Sequence, residues 1–161
     1  MSFFPARKCH DGQFQDQTPP VYYYMQNQTI LTTLLDKYVS PGVGVIHSSE
    51  LAYVYANLTA YNATGDVYPT LSDVELLRRE SRSWSTFAST FKPSLFEKRT
   101  LEGWMPAYDR VNDREGAKMM VIGGPEAGMS GLDGGDAVGR QKLGDRCGFL
   151  NQPAIIRQLR Y

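Results

Sequence analysis

Histidine and cysteine are both scarce in this chain: His10 and His47 are its two histidines, and Cys9 and Cys147 its two cysteines. Zinc is usually held by four nitrogen, sulfur or oxygen ligands, so the Cys9-His10 pair makes a poor metal centre. No metal or other cofactor is expected. An excess of either charge is also missing. Seventeen basic residues balance seventeen acidic ones, and no run of lysine and arginine forms a local patch, so nucleic acid is not an expected partner. No apolar stretch approaches the roughly 20 residues needed to cross a bilayer. The glycines near Ala127 to Gly139 lack both the G-x-x-x-x-G-K-[ST] pattern and the strand, fingerprint and helix order of a dinucleotide site. A flexible glycine-rich loop over about 123–139 is the expectation there.

What remains is ample for a packed core. With 161 residues and 42% hydrophobic content, the chain fits one domain or a piece of one. Val21 to Met25, with three tyrosines, predicts a strand, and Val43 to Ile46 predicts another leading into His47. Ser48 or Ser49 is placed to cap a helical turn starting at Glu50. The strongest helix signal runs from about Ser72 to Phe91, just before Pro93, with Ser72-Asp73-Val74-Glu75 read as its capping box. Val74, Leu77, Trp84, Phe87, Ala88 and Phe91 form its predicted apolar face. Lys118 to Ile122 predicts a late strand, and Gln152 to Leu159 a short helix with proline near its first turn.

Three N-x-T sequons, at Asn27, Asn57 and Asn62, are candidate glycosylation sites. With five asparagines and twenty-one serines and threonines, chance predicts about 0.7 such sites. The excess points to an extracellular ancestry. Yet Met1 to Lys8 places its charge after the apolar residues, so no secretory signal is read there. A chain derived from a secreted protein but lacking its front end would combine the two.

Several dispersed motifs carry a resemblance that accounts for both. His47-Ser48-Ser49-Glu50-Leu51-Ala52-Tyr53-Val54-Tyr55 resembles the segment around the catalytic histidine of the type B carboxylesterase and lipase family, with Ala52 in place of the usual proline. Ser83 to Ala88 is similar to the family's W-x-x-F-A helix, and Trp104 to Tyr108 to its W-P-x-Y turn with one residue inserted. Arg146 to Asn151 matches its R-C-x-F-x-N element, and Phe3-Phe4-Pro5-Ala6 is similar to F-x-C-P-A without the cysteine. The resemblance implies the C-terminal portion of an α/β-hydrolase fold: an α/β arrangement with an incomplete sheet, packing helices and a partial domain over 1–161. It also implies a Cys9 to Cys147 disulfide if Cys9 can reach the displaced position; two unpaired thiols are the alternative.

The chemistry implied is ester hydrolysis, in which a serine hydroxyl attacks the carbonyl and an imidazole shuttles its proton. By resemblance His47 is that imidazole and Glu50 the acidic residue of the motif, in a structural role. In an α/β-hydrolase the serine precedes the histidine and sits in a G-x-S-x-G elbow. Ser2 and Ser40 are the serines ahead of His47, and neither has the flanking glycines. Gly128 to Leu132 imitates the elbow around Ser130 but lacks its last glycine and follows the histidine. Asp11, Asp16 and Asp36 cannot be assigned as the triad acid, and the glycine-rich oxyanion segment is missing. The isolated chain is therefore expected to be inactive and to self-associate through an uncovered sheet edge. Its parent would act on a small ester or a lipid outside the cell. A noncatalytic interaction module on the same scaffold is the competing reading. Tyr53, Tyr55 and Trp84 are candidate lining for a substrate gorge, although packing is the commoner fate of buried aromatics.

Overall fold

Side chains on a strand alternate between faces, and the tyrosine run after Pro20 puts that alternation to use. The computed structural model describes residues 20–108, 116–132 and 137–159. Within it, β1 (Tyr24–Gln26) pairs in parallel with β2 (Lys118–Ile122), which pairs antiparallel with β3 (Gly128–Gly131). The sheet order is β1-β2-β3. Tyr22, Tyr24, Met120 and Ile122 join the larger apolar cluster, whereas Met25, Met119 and Val121 join a second one with Ala137 and Val138. The sheet is thus covered on both faces.

A parallel pair needs a long crossover, here built from α1 (Thr32–Tyr38), α2 (Leu51–Val54) and α3 (Leu71–Thr90). The aromatic part of the larger cluster is packed edge to face, with Trp84 and Trp104 ring centroids 6.1 Å apart and Tyr24 at 5.3 Å from Trp84. After β3 the chain forms α4 (Leu143–Leu150) and α5 (Pro153–Leu159). The proline at the start of α5 is where a missing N–H costs least.

Three expectations are corrected. Val43 to Ile46 is not a strand; Gly42 and Gly44 have φ of +79° and +73°, which turns the chain about Val43 instead of extending it. The glycine-rich stretch is not loop throughout, since Gly128–Gly131 pairs with β2 as β3; residues 133–136 lie outside the described residues. The capping box of α3 is Thr70 with Asp73, not Ser72 with Glu75. Thr70 is extended, with ψ of 173°, so its hydroxyl can receive the Asp73 N–H while the Asp73 carboxylate receives the Thr70 N–H.

The buried face of α3 is also rotated from the predicted stripe. Asp73, Leu76, Glu80, Ser83 and Thr86 are buried, Val74, Leu77, Trp84 and Phe87 flank them half-buried, and Ala88 and Phe91 are exposed. Counting apolar residues misses this face because most of its members are polar and find internal partners. The Ser83 hydroxyl, for example, accepts the Leu101 N–H at 2.8 Å.

Candidate functional site

His47 lies on an exposed turn between the glycine-bearing segment and α2. Its imidazole makes no hydrogen bond or ion pair to a described residue, Glu50 and the serines included. The backbone beneath it is firmly held. Ser48 takes φ of +66°, a conformation disfavoured for a residue with a side chain, and its carbonyl accepts the Tyr61 hydroxyl at 2.6 Å. The expected serine cap is absent: Glu50 occupies the N-cap of α2 with no side-chain bond. The fully buried Ser49 instead turns its hydroxyl back to the Ile46 carbonyl at 2.9 Å. That bond closes the loop upon itself, which is the local alternative serine offers to helix capping.

One turn further on, Tyr53 is fully buried and donates to Asp73 Oδ1 at 2.6 Å. Gln28 Nε2 donates to the same oxygen at 2.7 Å, while Gln28 Oε1 accepts the Gly124 N–H at 3.1 Å. Asp73 Oδ2 takes the Thr70 N–H and hydroxyl, both at 2.7 Å. Burial works to raise the Asp73 pKa, but the donors from Tyr53, Gln28 and Thr70 outweigh it and leave the carboxyl below its ordinary value. For Tyr53, burial and then the Asp73 carboxylate push the phenol upward, so it stays a donor. Donors from α2, the N-cap of α3 and the β1 exit therefore meet at one carboxylate, and Gln28 links it to the β2–β3 turn. Gly123 completes the approach: a Cβ there would lie 2.5 Å from Gln28 Cβ.

A second acid lies on the same face of α3. Glu80 is fully enclosed, with Gln26 Nε2 donating to it at 3.3 Å. Burial pushes its pKa up to about 8, Gln26 and Trp84 partly opposing the rise, and the charge of Glu50 adds to it. Glu50 is thus within electrostatic reach of an acid on α3, while His47 is exposed.

The other sequence candidates are scattered. Cys147 is exposed on α4, and Cys9, His10, Asp11, Asp16 and the Phe3–Ala6 motif lie outside the described residues. Ser130 sits on β3 and donates to the Gly131 carbonyl at 3.2 Å. Of the gorge candidates, Tyr53 is a core residue, Trp84 is half-buried among aromatics, and Tyr55 is 75% exposed. Asn57 is exposed, and Asn27 and Asn62 are half-buried. An open groove of about 370 Å³ runs along Gln28, Leu76, Arg79, Glu102 and Gly124, without His47 in its walls. Among the described residues no group of three or more metal-binding side chains converges, and no helix is long and apolar enough to cross a membrane.

No family model matches the chain. It is, however, 42% identical over 144 residues, 87% of its length, to a secreted lipase from Arthroderma benhamiae. The chain is a relative of the carboxylesterase and lipase family. An inactive carboxylesterase-like protein from Byssochlamys spectabilis is 36% identical over 84% of the chain. This carboxylesterase relative covers only 24% of the length of the first protein and 22% of the second. It spans about a quarter of each, which agrees with the resemblance to one portion of such an enzyme.

The acids Asp73 and Glu80 and the donors Gln28 and Tyr61 were not singled out as site residues from the sequence. Asp73 alone carried a signal, as a helix-capping acid. Because Glu80 holds its proton in the fold up to about pH 8 and an unfolded glutamate loses it near 4.3, the folded state binds more protons between these values. Its contribution to stability is complete below the lower pKa and is lost as pH rises through the upper one. Glu80→Gln is expected to remove this decline, which amounts to at most about 1.4 kcal/mol per pH unit. Denaturant titrations of both proteins from pH 5 to 8.5 check it; parallel curves would rule it out.

Proposed function

We propose that this chain is the C-terminal portion of an extracellular, glycosylated carboxylic-ester hydrolase of the α/β-hydrolase fold, in which His47 is the proton-shuttling imidazole. The observation that carries the reading is the 42% identity over 87% of the chain to a secreted lipase. The motifs around His47, in the order expected of the family, support it, as does a sheet whose parallel pair is joined by a helical crossover. An exposed imidazole on a braced turn suits a residue that must meet groups from another segment. An imidazole can both accept the serine proton and return one to the leaving alcohol.

The nucleophile and oxyanion donors of this reading belong to a segment outside the chain, which by itself is inactive. Its substrate class is a small carboxylic ester or a lipid. A second reading, a noncatalytic esterase-like module, is favoured by the relative named as inactive. The two separate in a p-nitrophenyl ester assay of the chain alone and of the chain put in place of the matching quarter of the secreted lipase it resembles. Ester hydrolysis is expected only from the chimaera, with His47→Ala lowering kcat by about 10³-fold or more. Turnover that survives this replacement would sink the catalytic reading.

On the same reading, the exposed Tyr55, Phe91 and Phe96 are surfaces the rest of the domain covers. The isolated chain is expected to self-associate, giving dimers or larger species in sedimentation velocity at micromolar concentration. A single monomeric boundary would contradict this.

A further inference from the structure

The three sequons are read as equals in the sequence, but the fold separates them. We propose that Asn57 is an N-glycosylated residue of the folded protein and that Asn27 is excluded from that modification. This rests on the reading of an extracellular parent and assigns its glycan to a position.

At Asn57-Leu58-Thr59, both sequon residues are exposed while Leu58 packs against the core between them. Thr59 donates from its N–H at 3.1 Å and from its hydroxyl at 2.8 Å to Asn57 Oδ1. The asparagine backbone is held too, its N–H bonded to the Ala52 carbonyl at 2.8 Å. Both donors engage the carbonyl end of the amide, so Nδ2 is left for the solvent side. A glycan uses that nitrogen and keeps the oxygen, so the turn survives the modification.

Asn27 presents the opposite arrangement. Its N–H is bonded to the Ile122 carbonyl at 2.8 Å, and its Nδ2 lies against the β2–β3 turn. Even a single Cβ on Gly124 would come within 2.7 Å of that nitrogen. A sugar ring there must displace the turn. Thr29, the third residue of this sequon, already accepts the Leu31 N–H at 3.1 Å where α1 begins. Asn62 is intermediate, half-buried with its Oδ1 holding the Val67 N–H at 3.0 Å.

The co-reactant is a polyprenyl-diphosphate-linked oligosaccharide. Asn57 Nδ2 forms a bond to C1 of the reducing-end sugar as the C1–O bond to the diphosphate breaks. The polyprenyl diphosphate leaves with the bonding pair, and one Nδ2 proton passes to a base.

The test attaches a cleavable secretion signal to the full chain in yeast, in a Thr64→Ala background that removes the Asn62 sequon and keeps its side chain. Signal-driven entry reads acceptor choice independently of whether the native product is exported. Peptide mapping after enzymatic deglycosylation, which leaves aspartate at each occupied asparagine, is applied to the retained and secreted pools. Conversion is expected at Asn57 in both pools and not at Asn27 in the secreted one, and Thr59→Ala is expected to remove one glycan's mass. Should Thr59→Ala fail to leave the cell, its retained pool still reports that loss. Unmodified Asn57 in the retained pool, or a glycan on Asn27 among secreted molecules, overturns the proposal.

Discussion

The carboxylate of Asp73 is the point on which the arrangement turns. It is 4% exposed, and without charge-assisted partners its burial would cost several kcal/mol. Tyr53, Gln28 and Thr70 fill its acceptor sites, and each comes from a different part of the chain. One group thereby caps α3, fixes the short α2 that follows His47, and holds the exit of β1 against the turn after β2. Removing any donor leaves a buried charge short of a partner, which is the expensive direction of change.

This explains why the sequence disclosed the elements better than their rotation. Lys118 to Ile122 and the extent of α3 were legible because β-branched clustering and capping chemistry are local signals. The face that α3 buries was not, because Asp73, Glu80 and Ser83 read as solvent-facing until their partners at Tyr53, Gln26 and Leu101 are brought near by the fold. Val43 to Ile46 misled for a related reason. Two valines and an isoleucine favour a strand, but the glycines beside them adopt positive φ and, among the described residues, no neighbouring strand takes up their hydrogen bonds.

The loop that bears His47 follows the same logic. Its support was not legible, since Tyr61 reaches back to the Ser48 carbonyl and Ser49 to Ile46 through bonds no local pattern announces. The outcome is a rigid base beneath an exposed imidazole. Enclosed Glu80 adds an acid to the layer behind the loop, on the side away from solvent.

The most direct test of this account is a double-mutant cycle between Tyr53→Phe and Asp73→Asn, with unfolding free energies read from denaturant titration. A hub built on that 2.6 Å bond predicts a coupling of about 1 to 3 kcal/mol. Strictly additive effects would show that α2 is held by apolar packing alone and would contradict the role given to Asp73.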